Sequence, residues 1–468
     1  MKKLSAAEFV RALPKPAADL IAAIVAEADK RRLPVYLVGG PVRDLLLGRD
    51  IADIDLIVEA GDDKVALDLA KAVMTPGARV ISHDRFGTVS VSTPEASLDL
   101  ARVRRETYAH DGALPTVAPG SLEDDLRRRD FTVNTLALPL SQAARSVGAG
   151  VIDLDEGRAD LERGQLRVLH SRSFHDDPTR ALRAARLAPR LGFVLSRGSR
   201  TALRDALRDG AFSRISGDRL RREFVKLFED PRQGLDPAKA LRLLGEWHVL
   251  GALEPGLDVA RDCIPPLRRL GRSIANPPWS PGRWNPWVSG LALWLAPLSA
   301  GLRNRTLRRL AVRGAAMRRV SEFPRSRDAW LRALARARGR GAVDSILVGV
   351  HEEDLQALLV SAPVPMRRRL IRFAREDRAR RLPVSGDDLV ALGVSGPAVG
   401  RALTRIRVAY LDGNVKTRDE ALAMARELVG RRSAARSRSR PRSRKSGRTR
   451  KARAKSKASR GETDPEIG

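Results

Sequence analysis

A chain of 468 residues with 43% hydrophobic content has room for roughly two to four globular domains and a sizeable buried core. Its 87 Lys and Arg against 56 Asp and Glu leave a net charge of +31, which points to a polyanionic partner, with nucleic acid ahead of a membrane surface. The lone cysteine, Cys263, excludes an intramolecular disulfide and a cysteine-based zinc site; Asp19 interrupts the apolar stretch Ala17 to Ala26, and Trp287 to Leu302 is short and holds Gly290 and Pro297, so the chain reads as cytoplasmic with neither signal peptide nor membrane span.

Residues 6 to 31 have helical periodicity, with Leu13, Leu20, Ile24 and Val25 available to one face, and carry no chemistry of their own. Val35 to Val38 reads as a short buried strand, broken by Gly39 and Gly40. Pro41 suits the first turn of a helix over Val42 to Gly48, whose free N–H groups face the turn and suit a phosphate. Asp53 to Val58 alternates, so as a strand it sets Asp53 and Asp55 on one face, about 6.5 Å apart at the backbone, where both carboxylates reach hard cations such as paired Mg2+. A helix over Lys64 to Val73 and strands over Arg79 to Ser82 and Gly87 to Ser92 follow. In a further strand, Ser97 to Ala101, Asp99 lies among apolar residues: it is either a third carboxylate of the site or an edge-strand acid in water.

Residues 102 to 125 are rich in Gly, Pro and charge, as in a mobile loop beside an active site. Arg127 to Asn134 runs straight into the apolar segment ending at Leu138, which predicts a cleft-lining arginine cluster able to grip triphosphate oxygens, with Asn134 set for a ribose hydroxyl. Asp177 before Pro178 is an ordinary helix start, but capping does not account for Arg180, Arg183 and Arg186 at threefold spacing. A carboxylate beside a guanidinium matches the acceptor and donor pattern of C or A and opposes that of G and U, so Asp177 with Arg180 can select CTP and ATP without a template. Beyond Leu187 strand signals nearly vanish, and helices are expected over 199–209, 217–229, 237–247, 304–320, 328–338, 352–361, 365–378, 396–411 and 417–429. From Arg431 onward 15 Lys or Arg stand against 3 acids with almost no large apolar residue, a composition that predicts a disordered tail binding RNA phosphates loosely.

Three motifs resemble those of the class II tRNA nucleotidyltransferase and bacterial poly(A) polymerase family. Gly39-Gly40-Pro41-Val42-Arg43-Asp44 with Asp53 and Asp55 is similar to its Gly-Gly-x-Val-Arg-Asp and Asp-x-Asp signature. Arg128 to Asn134 is similar to Arg-Arg-Asp-Phe-Thr-(Ile/Val)-Asn-Ala, with Thr135 in place of the Ala, and Asp176, Asp177 and Arg180 to Glu-Asp-x-x-Arg, with Asp176 in place of the Glu. Leu382 to Leu428 resembles the family's tail, whereas residues 256 to 380 fit only in helical character.

The resemblance implies an α+β polymerase-palm nucleotidyltransferase domain over 1–155, then an all-α neck (156–255), body and tail (256–430), and the basic terminus (431–468). It implies a Mg2+-dependent enzyme with Asp53, Asp55 and Asp99 catalytic, the first two holding metal. Gly39, Gly40, Arg43, Asp44, Arg129, Asp130, Asn134, Asp177, Arg180, Arg183 and Arg186 form the expected nucleotide-binding set, Gly40 and Arg43 anchoring the triphosphate. The partners would be tRNA, CTP and ATP, and the reaction CCA addition to or repair of the tRNA 3′ end. Two neighbouring activities stay open. The loop Asp111 to Pro115 lacks the arginine that full CCA-adding members carry after Asp-Gly and looks more like that of A-adding relatives, and the Arg-rich tail is similar to that of poly(A) polymerases, although Phe86-Gly87-Thr88-Val89 reads as in the tRNA enzymes. Charge alone fits a catalytically silent RNA-binding protein equally well; the retained acids and arginines argue against it. A metal phosphohydrolase built on the His-Asp pairs at His83, His110 and His175 is rejected, because these lie inside the transferase motifs.

Overall fold

The structure is a computed structural model and describes residues 5–438 except 52, 63, 75–76, 84–86 and 147. The amino-terminal periodicity forms two helices, Ala6–Ala12 and Lys15–Lys30, rather than one, since Pro14 cannot continue the N–H ladder. Eight strands follow: β1 (Val35–Val38), β2 (Asp55–Val58), β3 (Arg79–His83), β4 (Thr88–Ser92), β5 (Ser97–Arg102), β6 (Arg104–Thr107), β7 (Thr116–Pro119) and β8 (Ala137–Pro139). Six form one sheet in the order β3-β4-β5-β2-β1-β8, in which only β2 and β5 run parallel.

Alternation decides which face of this sheet does chemistry. Leu56, Val58, Val89, Val91, Leu98 and Leu100 turn into the main core with Ile21, Ile24 and Leu69 of the flanking helices. Each such side chain gains about 1.5–3 kcal/mol by burial, so a one-residue slip that exposed them and buried Asp55 would be strongly opposed. Asp55 and Asp99 are thereby held on the opposite face, beside a smaller cluster of Tyr36, Val38, Ile57 and Leu126.

The segment expected as a loop over 102–125 is instead an antiparallel ribbon of β6 and β7, then a helix, Leu122–Arg127, opened by a Ser121–Asp124 capping box. Its strands carry ion-paired charges, which hide the strand signal: Glu106 receives both Arg104 and Arg128.

From Gly157 on the chain is helical apart from a two-residue pairing of Gln165–Leu166 with Val194–Leu195. The sheet's core continues without a break through Phe174, Phe212, Phe224 and Trp294, the last two stacked with centroids 5.2 Å apart. Helix Gly314–Arg336 runs through Pro324, where the sequence predicts a break, because Val320, Phe323 and Leu334 are buried along it. The apolar segment noted above overlaps the ten-residue helix Pro286–Leu295, and among the described residues no helix is long and apolar enough to cross a membrane. A Cβ at Gly290 would overlap the Phe228 ring. Gly290→Ala therefore destabilises the protein by about 1–3 kcal/mol despite its better helix propensity, measurable as a fall in the urea midpoint.

The chain divides into two compact units, one running to Arg338 with Ala342–Ala379, the other comprising Gly339–Gly341 and the residues from Arg380. The second has its own core of Val384, Leu389, Ile406, Val415, Ala421 and Ala425. Its last helix, Arg418–Arg438, passes the point where the basic tail was expected to begin; residues 439–468 of that tail lie outside the described residues.

Candidate active site

Strand β2 is shorter than the alternation suggests. It starts at Asp55, and Asp53 stands exposed just before it, although the Ile54 carbonyl already accepts the Asp99 N–H at 2.9 Å. Asp99 sits in register with Asp55 on the neighbouring strand. It is not caught among apolar groups: Leu98 and Leu100 go to the core while Asp99 is exposed and accepts the Ser90 hydroxyl at 2.6 Å.

Above this edge lies a cleft of about 460 Å³, walled by the Gly39–Asp44 turn, the start of β2, the ribbon, the Arg128–Asn134 segment and helix Thr179–Leu191. It brings Asp53 and Asp55 together with Asp177 and Arg180, which are more than 120 residues away in sequence; Asp99 is not on its wall. Gly39 permits the turn twice over. Its φ of +76° is in the region that only glycine enters freely, and a Cβ there would lie 2.7 Å from Arg129 Nη1.

The wall is electrically balanced. Arg43, Arg128, Arg129, Arg180, Arg183, Arg186 and Arg190 stand with Asp44, Asp53, Asp55, Glu106, Asp130, Asp177 and Glu223, seven of each sign. Most are already paired. Arg43 holds Asp44 with Nε and Nη2 at 2.8 and 2.9 Å and gives Nη1 to the Asn134 carbonyl at 2.6 Å, and Arg190 reaches Asp44 at 3.2 Å. The Asn134 amide donates to Asp130 at 2.8 Å, so both ends of the side chain expected at a ribose are engaged within the wall. Arg183 pairs with Asp130 at 2.8 Å, and Arg186 bridges Glu223 and Asp230 at 2.5 and 2.8 Å. Two of the three arginines of the helix stripe, Arg183 and Arg186, are thus explained by acids brought to them from other elements. Arg128 and Arg129 both bind Asp125, at 2.6 and 2.8 Å.

Among the described residues, three charges of the wall lack an ion-pair partner: Asp53, Asp55 and Arg180. Arg180 is buried, donates to the Ser173 hydroxyl and gives Nη2 to the Arg128 carbonyl at 2.9 Å. Asp177 uses Oδ1 three times, for the Thr179 N–H and hydroxyl at 3.0 and 2.6 Å and for Arg219 at 2.6 Å. Burial pushes the Asp55 carboxyl upward, and Asp99 and Asp53 add to this against the opposing pull of Arg129. A divalent cation would relieve that repulsion. Among the described residues no group of three acidic, imidazole or thiol side chains is placed to hold a metal ion.

Asp130 shows the opposite balance. Burial resists its ionisation, yet Arg183 and Asn134 outweigh that and hold it at about 2 against an ordinary 3.8. The group's stabilising contribution, about 2 kcal/mol, is complete above pH 4 and lost as the pH falls towards 2. Asp130→Asn consequently costs about 2 kcal/mol at neutral pH, and denaturation of the two proteins at successive pH values shows the gap closing between pH 4 and 2.

A tRNA nucleotidyltransferase from Deinococcus radiodurans, described as CC-adding, is 35% identical over 401 residues, covering 84% of this chain and 89% of its own. Residues 35–167 match the poly(A) polymerase head domain. The chain belongs to the class II tRNA nucleotidyltransferase and poly(A) polymerase family. An A-adding tRNA nucleotidyltransferase from Geobacter sulfurreducens is 32% identical over 430 residues, 89% of this chain; the chain spans 47% of that longer relative. The Thermotoga maritima CCA-adding enzyme solved with tRNA superposes with a TM-score of 0.65 at 26% identity, over 92% of this chain and all of that one.

Several residues of this cleft carry no motif readable from the sequence. Asp125 was within reach, since Arg128 and Arg129 follow it by three and four residues, a spacing that brings side chains together in a helix. Glu106 and Tyr108 enter the wall through the unrecognised ribbon; burial and then Glu106 push the Tyr108 phenol up to about 12, so it stays protonated and donates to Glu106 at 3.3 Å. Arg219 binds Asp177 at 2.6 Å and the Gly112 carbonyl at 2.9 Å, tying the ribbon tip to the helix start, and nothing local in the sequence signals it.

Proposed function

We propose that the protein is a template-independent tRNA nucleotidyltransferase that adds CTP- and ATP-derived nucleotides to the tRNA 3′ end, in CCA addition or repair. The observation that carries this is the set of uncompensated charges in one cleft: two carboxylates at the strand edge, and across from them a buried guanidinium beside a helix-capping carboxylate. Asp53 and Asp55 would hold Mg2+, whose chemistry is to neutralise the triphosphate and acidify the attacking 3′-hydroxyl. A balanced wall gives a polyphosphate no net attraction, so the anion has to arrive with cations.

The chain's own groups orient the substrate. The Gly39–Gly40 turn and Arg129 flank the place for the triphosphate, Arg129 being braced by Asp125 and Arg43 by Asp44 and Asn134. Asp177, with Oδ1 fixed by Thr179 and Arg219, keeps Oδ2 for the exocyclic amine of C or A, while Arg180 donates to the adjacent ring acceptor. Asp99, in register with Asp55, serves as a third carboxylate beside the wall.

A second reading, addition of A only, is favoured by one observation: the ribbon tip carries Ala113 after Asp111-Gly112, without the arginine expected of full CCA addition. Transcripts lacking all of the terminal CCA, lacking only the final A, or ending in an unrelated sequence, each incubated with CTP and with ATP, decide the matter. Extension of the first with both nucleotides supports CCA addition. Extension of only the second, with ATP, supports the A-adding reading, and long A tails on the third indicate a poly(A) polymerase. Salt-sensitive tRNA binding with no metal-dependent incorporation of any nucleotide overturns all three.

A further inference from the structure

We propose that a basic groove on the helical body, outside the cleft, binds a backbone phosphate of the substrate RNA; the inference rests on the reading of the protein as a tRNA enzyme. The groove has a volume of about 400 Å³. Its floor is apolar, from Pro278, Leu359 and Val360, and its rim carries Arg269 and Arg272 of helix Ile264–Ala275 and Arg367 of helix Val364–Arg372.

Helix capping accounts for part of this arrangement. Arg269 Nε donates to the Val360 carbonyl at 2.7 Å and Arg367 Nε to the Ala362 carbonyl at 2.6 Å, satisfying the carboxyl end of helix Glu352–Ser361. Capping uses one nitrogen of each side chain and leaves the Nη groups of both without a partner among the described residues, as Arg272 is altogether. None of the three has a carboxylate within ion-pair distance among those residues, in contrast to the cleft, where six of seven arginines are neutralised. Burial and the two neighbouring guanidinium groups together disfavour the charged form of Arg269. An anion removes that repulsion, and the two capping bonds have already fixed the side chains that would receive it.

A phosphodiester fits better than other anions. Guanidinium forks match phosphate oxygens, the apolar floor accepts the face of a ribose or base, and a chain of net charge +31 already draws RNA to its surface.

The test uses the full chain and a tRNA transcript lacking its 3′ end. Arg272→Glu changes an exposed side chain that makes no hydrogen bond or ion pair among the described residues, so folding should be preserved, which circular dichroism checks; Arg272→Lys keeps the charge, and Arg11→Glu, on the amino-terminal helix, measures the generic effect of a charge reversal. Expected for Arg272→Glu are an about tenfold rise in the Kd for tRNA, a shallower dependence of log K on log salt by about one, and a matching rise in KM for tRNA with kcat and the KM for ATP unchanged. Arg272→Lys and Arg11→Glu stay within about twofold of the wild type. Unchanged tRNA affinity in Arg272→Glu overturns the proposal, as does an equal loss in Arg11→Glu. Inorganic phosphate titrated by calorimetry separates the sources: phosphate binding lost in Arg272→Glu while tRNA binding is intact makes this a free-anion site and overturns the RNA assignment. If the wild type binds tRNA through this groove but incorporates no nucleotide, the catalytic reading fails and the groove stands; if it incorporates normally and Arg272→Glu binds tRNA as the wild type does, the reverse holds.

Discussion

The Asp53→Ala, Asp55→Ala double variant should incorporate CTP and ATP at least about a thousandfold more slowly than the wild type while staying folded, a loss of about 4 kcal/mol of transition-state stabilisation. These two are the wall carboxylates that, among the described residues, have no arginine to neutralise; every other acid of the cleft is bound to a guanidinium and serves the wall itself. The same fact predicts that removing charge at β2 does not weaken the metal-free protein. Asp55 is half-buried beside two like charges, so Asp55→Asn without added metal should melt at or above the wild-type temperature, and Mg2+ should stabilise the wild type but not the variant. Because burial and two like charges raise the Asp55 carboxyl in the metal-free protein, protons compete with the cation there, so the Mg2+ concentration needed for half-maximal activity should rise as the pH falls. Thermal melts with and without Mg2+, and single-turnover incorporation across pH and Mg2+ concentration, check each part. Near-normal incorporation by the double variant would remove Asp53 and Asp55 from the chemistry.

Asp177→Asn should change which base is chosen more than whether the protein folds. Asn still caps the helix start through the Thr179 N–H, so stability shifts by less than about 1 kcal/mol. What changes is the acceptor offered to an incoming base, since an amide presents a donor on one side where the carboxylate has none. A good bidentate contact carries about 1–3 kcal/mol of discrimination, so kcat/KM for CTP and ATP should fall about 10- to 100-fold while that for UTP or GTP falls less or rises. Rates with all four triphosphates on one transcript measure this directly, and an unaltered ranking would take Asp177 out of base selection. Losing the ion pair with Arg219 also loosens the tie to Gly112, so the variant should free the ribbon tip, which proteolysis at the 108–115 loop reports.

The features that local geometry controls were legible in the sequence. A period of two set Asp55 opposite Leu56 and Val58, and an Asp-Pro pair marked the start of the arginine helix. The glycine break before Pro41 gave the turn whose positive φ the structure requires. Where the sequence misled, the local signal was overridden. Asp99 looked costly among apolar neighbours, but alternation sends those neighbours to the far face; the ribbon looked like a loop because its strands are written in charges neutralised across space.

The state of the arginines on helix Thr179–Leu191 belongs to the tertiary structure. Arg43, Arg180, Arg183 and Arg186 look equally suited to phosphate on paper, yet Asp44 meets Arg43 locally, Asp130 meets Arg183 from 53 residues away, and Glu223 meets Arg186 from 37. Sequence periodicity names the face a side chain occupies and is silent about what stands opposite. Ion pairing depends on distances of a few ångströms between segments the chain brings together only on folding, and this leaves Asp53, Asp55 and Arg180 with charge to offer a substrate.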